Sequence, residues 1–213
     1  MNARSAPSLE RRERERAETR RQILEAARRM FVRQGYEGTT MRAIAAKIGY
    51  TPTAIYHHFK DKDTLVAELS ALDFRALTQA LQQTSSVADP LERFEKVGEA
   101  YVEFGLTHPM QYQFLFMTRR PKGGAHRATQ RDPGEDCYGF LRQTCSDVIA
   151  TGRLRPEFSD ADELAQMAWG SLHGLVALQV AKGDDRSFAW RDVRETAAKI
   201  RQAFMRGTLR GTR

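Results

Sequence analysis

Apolar residues recur at helical spacing along most of the chain. Ile23, Leu24, Ala26, Ala27, Met30 and Phe31 form one stripe at intervals of three and four, and Gly35 stands where that helix should stop. Residues 40 to 63 then bring two short apolar patterns together. Ile44, Ile48, Ile55 and Phe59 make a seam, Ala45 is small where two helices would cross, and Gly49 suits the turn between them. Thr51 followed by Pro52 caps and starts the second short helix, which turns Thr53, Ala54, Tyr56 and His57 outward. Asp61 can cap a longer helix reaching about residue 84, where Ser85-Ser86 breaks it. Asp89-Pro90-Leu91-Glu92 opens another, with Phe94, Val97, Tyr101, Phe104 and His108 at helical spacing up to Pro109. Beyond it the pattern predicts a short apolar helix over 110–117, a mobile loop over 119–133 and a helix over 134–151 closed by Gly152 and Pro156. Asp160 and Glu163 begin a helix to about Lys182, and 188–209 is the last. No stretch alternates with the period of a strand. The chain is therefore predicted to be all-α, with roughly nine helices in two domains.

The steep pairing of two short helices within 40–63 is a helix-turn-helix, a motif that lays its second helix in the major groove of DNA. The charge is placed accordingly. The formal net charge is +7, and residues 1–60 hold 13 Lys+Arg against 6 Asp+Glu, a difference of +7 that leaves 21 against 21 in the remainder. All the excess positive charge thus lies beside the motif, as a phosphate-binding end requires. The first 17 residues, rich in Arg and Glu, read as a flexible arm. Arg4, Arg11, Arg12, Arg14 and Arg16 could enter a minor groove, and a solvated tail is an equal reading.

The run Thr39-Thr40-Met41-Arg42-Ala43-Ile44-Ala45, followed by Ile55-Tyr56-His57-His58-Phe59-Lys60-Asp61-Lys62, resembles the DNA-binding domain of TetR-type bacterial transcriptional regulators. The domains expected are the arm over 1–17, a helix-turn-helix domain over 18–61 and an effector-binding and dimerisation domain over 62–213. Candidate DNA contacts are Thr40, Arg42, Thr51, Thr53, Ala54, Tyr56, His57 and Lys62. Arg42 rests on the resemblance, which implies a base-contacting side chain at the matching position. Lys62 begins a helix aimed at phosphate.

The second half is similar to one subgroup of the same family. Ala168-Trp169-Gly170-Ser171-Leu172-His173-Gly174-Leu175 resembles its Trp-His-Gly signature, and Asp89-Pro90-Leu91, Ala100-Tyr101-Val102-Glu103-Phe104 and His108-Pro109 fit as well. The resemblance implies an effector pocket in the larger domain. Tyr101, Phe104, His108, Phe114, Met117, Phe140, Trp169 and His173 are the candidate lining, although each also suits plain core. Few polar anchors stand among them, so the expected effector is apolar or aromatic, held by His108 or His173.

The helix over 160–182 is apolar on two faces, Leu164, Ala168, Leu172 and Leu175 on one and Trp169, His173, Val176 and Val180 on the other. The last helix carries Val193, Ala197, Ile200 and Phe204. Pairing across a two-fold axis would make a four-helix bundle with Leu172, Val176, Val193, Ala197, Ile200 and Phe204 at the interface; a larger monomeric core is the alternative. Two copies would read a pseudo-palindromic operator.

These features predict a homodimeric, ligand-responsive transcriptional regulator, in the first place a repressor, with an activator or an effector-independent regulator as the alternative. From another class, a thiol enzyme would use Cys145 and His173, yet no acid and base stand at diagnostic spacing. Cys137 and Cys145 lie about 12 Å apart along a helix and cannot bridge; they read as small buried residues, with a thiol sensor as the lesser option. The five histidines show no ligand spacing, so neither metal nor cofactor is expected. No apolar run of about 20 residues spans a bilayer and no signal peptide opens the chain, which predicts a cytoplasmic protein with no membrane partner.

Overall fold

The computed structural model describes residues 6–119 and 136–211; all but the first residue of the loop expected at 119–133 lies outside them. Nine α-helices occur among the described residues: α1 (Ala6–Gly38), α2 (Met41–Lys47), α3 (Pro52–Tyr56), α4 (Lys62–Gln82), α5 (Pro90–Thr107), α6 (Pro109–Tyr112), α7 (Cys137–Ala150), α8 (Ala161–Lys182) and α9 (Val193–Thr208). A 3-10 turn, Gln83–Ser86, follows α4, and a π-helical stretch, Gln113–Met117, extends α6. The only strand-like feature among the described residues is an isolated bridge between Leu154 and Leu209.

Boundaries follow the caps. The Asp89 carboxylate accepts from the Leu91 and Glu92 amides at 2.8 and 3.0 Å, Asp160 does the same for Asp162 and Glu163, and Asp136 accepts from Tyr138. The last helix begins later than its pattern suggested. Asp192 accepts from the Glu195 amide at 2.8 Å, and Phe188 and Trp190 precede the helix, where the Trp190 indole donates to the Asp185 carbonyl. At the other end, α1 runs back to Ala6. The described part of the expected flexible arm is therefore helical, supported by Arg11–Glu15 and Arg14–Glu10 pairs one turn apart. Gly35, at φ +72°, interrupts α1 where the sequence placed its end.

The described residues form two compact units, one comprising 6–71 with 114–119 and the other 72–113 with 136–211. The division falls inside α4 because Leu65, Val66 and Leu69 are buried with the α1 stripe, Ile44, Ala45, Ile55 and Phe59. Phe114 completes this core against Phe31, with ring centroids 5.9 Å apart. In the second unit α5, α7, α8 and α9 surround Phe94, Cys145, Val148, Leu164, Ala165 and Met205. Helices α5 and α8 approach closely at Gly105, where a Cβ would stand 2.4 Å from a Val176 methyl.

Candidate nucleic-acid interface and effector site

The helix-turn-helix is built as its residue types dictate. Thr40 caps α2 by accepting from the Ala43 amide at 3.1 Å, and Thr51 caps α3 by accepting from Ala54 at 3.3 Å. Gly49, at φ +73°, makes the turn in a conformation that a Cβ would strain. Ile44, Ala45 and Ile55 are fully buried, so the seam fixes the angle between the two helices. Thr40, Arg42, Thr51, Thr53, Tyr56 and His57 are exposed, Tyr56 to 53 %, and Ala54 is half-buried among them. Seven of the eight expected contacts therefore stand on one short, rigid segment or at its entry.

Lys62 is placed differently from the expectation. Its ammonium donates to the Tyr36 and Thr39 carbonyls at 2.9 and 3.0 Å and lies 3.9 Å from the centroid of the Tyr36 ring. It closes the end of α1 in place of pointing straight at phosphate. The Tyr36 hydroxyl donates to Asp63. Sequence reasoning also missed the grip of α1 on the motif. Arg20 donates to the His58 carbonyl at 2.8 Å, sits over the Phe59 ring at 4.3 Å and pairs with Glu68, while the Thr19 and Tyr50 hydroxyls are 3.4 Å apart. A basic residue one turn before the apolar stripe, in register with Ile23 and Leu24, was the available signal. His58 Nδ1 is buried without a hydrogen-bond partner, and burial, then the charges of Arg16 and Arg20, hold this imidazole below its usual pKa.

In the second unit Tyr101, Trp169 and His173 come together, joined by Tyr112, which the expected lining omitted. The Trp169 indole donates to the Tyr101 oxygen at 3.0 Å, the two phenol oxygens are 3.1 Å apart, and His173 Nδ1 is 2.6 Å from Tyr112 and 2.9 Å from Tyr101. With its proton on Nε2, a neutral imidazole has one lone pair at Nδ1, so one phenol donates to it and the other must donate elsewhere. The shorter separation favours the order Trp169 to Tyr101 to Tyr112 to His173, which leaves the His173 proton on Nε2. Burial raises both phenol pKa values, Tyr112 to about 12, and lowers that of His173. The cluster is neutral at pH 7 and more polar than the expected lining.

The other expected lining residues disperse. Phe104 is buried and stacks on His108 at 4.9 Å, but His108 itself is exposed and meets the Thr107 hydroxyl. Phe140 is half-buried on α7. Phe114 belongs to the core of the first unit, and Met117, on the same π-helical turn, is 42 % exposed. The dimer expectation changes too. Leu172, Val176 and Ala197 are buried within the chain and leave no surface for a second copy, and Phe204 packs on Phe94 at 5.9 Å. Val193 and Ile200 stay half-buried. The open face of α8 is instead Met167, Gly170, Gly174 and Leu178, where a Cβ on either glycine would meet nothing within 4 Å.

Cys145 is fully buried, which pushes its thiol up to about 12, and His173 Nδ1 is engaged by phenols, so a Cys145–His173 nucleophile has no thiolate to use. Among the described residues no group of three His, Cys, Asp or Glu could hold a metal, and no helix is long and apolar enough to cross a membrane.

The resemblance is repeated in known proteins. Residues 23–69 match the family model described as bacterial regulatory proteins, tetR family, and 94–199 match the tetracyclin repressor-like C-terminal domain. The second description does not name the narrower Trp-His-Gly subgroup. The chain is 46 % identical over 177 residues to the transcriptional regulator TtgR of Pseudomonas putida, covering 75 % of this chain and 79 % of that one. It is 38 % identical over 68 residues to the transcriptional repressor AcnR of Corynebacterium diphtheriae, a match spanning 32 % of this chain and only 36 % of the relative. The fold is that of the fatty acid degradation regulator FadR from Bacillus halodurans, with TM-score 0.72, 17 % identity and coverage of 88 % and 95 % of the two chains. These relatives are regulators and not enzymes. With a capped recognition helix in the N-terminal match and a helical unit in the C-terminal one, the chain belongs to the TetR family of bacterial transcriptional regulators.

Proposed function

We propose that the chain is a cytoplasmic, homodimeric repressor that binds a pseudo-palindromic operator and releases it when a small effector enters the C-terminal unit. The observation that carries this reading is α3: a five-residue helix, capped by Thr51 and anchored by a fully buried Ile55, that exposes Thr53, Tyr56 and His57 together. Thr40 and Arg42 extend that surface from α2, and an Arg bidentate to guanine is worth about 1–3 kcal/mol of discrimination. The copies meet through α8 and α9, with Met167, Gly170, Gly174 and Leu178 offering an apolar face of small residues on which a second helix can approach. The effector is apolar or aromatic and bears one hydrogen-bonding group. Trp169 supplies apolar surface, and the Tyr101–Tyr112–His173 cluster beside it supplies the anchor. Binding sites mapped genome-wide give the operator, and Tyr56→Ala and Arg42→Ala are then measured on it. Tyr56→Ala should weaken operator binding with the fold intact, and Arg42→Ala should relax base preference. If Arg42→Ala weakens all sequences equally, it holds phosphate; if neither variant changes binding, α2 and α3 are not the reading surface.

A further inference from the structure

The N-terminal extension of α1 lies outside the family match, which begins at residue 23, and nothing in its own unit covers it: residues 10–18 are all exposed. A helix polar on every side has no core to join; its own ion pairs one turn apart hold it, and its faces stay open to a partner. Its charges, Glu13 apart, are sorted between two faces. Glu10, Arg14, Glu18 and Arg21 recur at intervals of four and three and neutralise one another through the Arg14–Glu10 and Arg21–Glu18 pairs. Arg11 pairs with Glu15 at the flank. Arg12, Arg16, Thr19 and Arg20 recur at the same intervals on the opposite side. There Thr19 meets Tyr50, just before the recognition helix, and Arg20 holds the carbonyl of His58, just after it. Arg16, one turn out, stands close enough to His58 to act on its charge. Glu13 stands on this side too, three residues before Arg16, yet neither Arg12 nor Arg16 forms an ion pair among the described residues.

We propose that Arg12 and Arg16 form a second DNA-contacting element, a helical strip that binds the phosphate backbone flanking the bases read by α3. The strip continues the line Thr19–Arg20 outward from the recognition helix for roughly 20 Å between Ala6 and Thr19, at about 1.5 Å per residue. Its two unpaired guanidiniums are the ligands, and the acids on the far face keep the helix formed without neutralising them. This strip contacts no base, so it adds affinity to every sequence and selects none.

The proposal rests on the DNA-binding reading, and its test separates the two. Full-length wild type, Arg12→Gln/Arg16→Gln and Arg14→Gln/Arg21→Gln are titrated against a mixed-sequence duplex of about 40 base pairs over a range of salt, with helicity followed by circular dichroism. Both variants remove the same charge and keep a good helix former. The first should reduce the magnitude of the log–log salt slope by roughly 2 per protomer, from about 0.9 per phosphate contact, while the second leaves it near wild type. Equal changes in both variants, or none in either, would overturn the strip while leaving operator binding through α3 in place. A wild-type slope near zero would overturn both.

Discussion

Lys62 shows how one side chain can be legible in type while its partners within the fold are not. A cation opening a helix beside a DNA-binding motif points to phosphate, but Gly35 interrupts α1, and beyond it the ammonium takes the Thr39 carbonyl together with that of Tyr36, which also accepts from the Thr39 amide at 3.3 Å. Lys62→Met should therefore destabilise the N-terminal unit by about 1–3 kcal/mol, the cost of leaving such acceptors unsatisfied. Urea titration compares it with wild type, and an unchanged midpoint would return Lys62 to the phosphate role alone. His173 gives a pH dependence. Burial holds it below its ordinary 6.5, so as pH falls the unfolded chain takes up the proton first. The stability contributed by the neutral ring is complete above 6.5 and is lost as pH falls through the lower folded value. Protonated at Nδ1, the ring repels the proton of Tyr112, whose hydroxyl can turn to the His173 carbonyl 3.3 Å away. Thermal unfolding followed by tryptophan fluorescence should show a midpoint falling between pH 7 and 5 in wild type and falling less in His173→Gln.

At the scale of elements, caps and glycines were readable because they act locally. Asp89, Asp160, Thr51 and Gly49 do in three dimensions what their neighbours in sequence imply. Residues whose meaning depends on a distant partner were not. Tyr112 lies in a short apolar run that any core would accept, and its place in the cluster is set by His173 on another helix. Leu172 and Val176 fit an interface as well as a core by periodicity alone, and only the approach of α5 decides for the core. That approach can be tested at Gly105. Alanine there gains helix propensity of up to about 1 kcal/mol but forces Val176 and Tyr112 aside, which costs about 1–3 kcal/mol, so Gly105→Ala should be less stable than wild type. A higher melting temperature would mean that α8 yields freely.

For the whole molecule, the exposed face of α8 makes the assembly testable without harming the protomer. Gly174→Glu with Leu178→Glu places two charges where the single chain has open space, so each copy should fold yet fail to pair. Sedimentation should show monomers with wild-type helicity and with operator affinity reduced by the loss of the second half-site. A variant that remains dimeric would move the interface elsewhere. Phe114 bears on how the protein is made. The DNA-reading unit closes its core on a ring that is translated after the whole of α5, so the contact between Phe31 and Phe114 has high sequence separation. In a chain made from its N-terminus, the helix-turn-helix core would therefore lack its partner for Phe31 until residue 114 has emerged. A fragment ending at residue 71 would preserve that unfinished state, and it should unfold at lower urea than the same unit in the full chain.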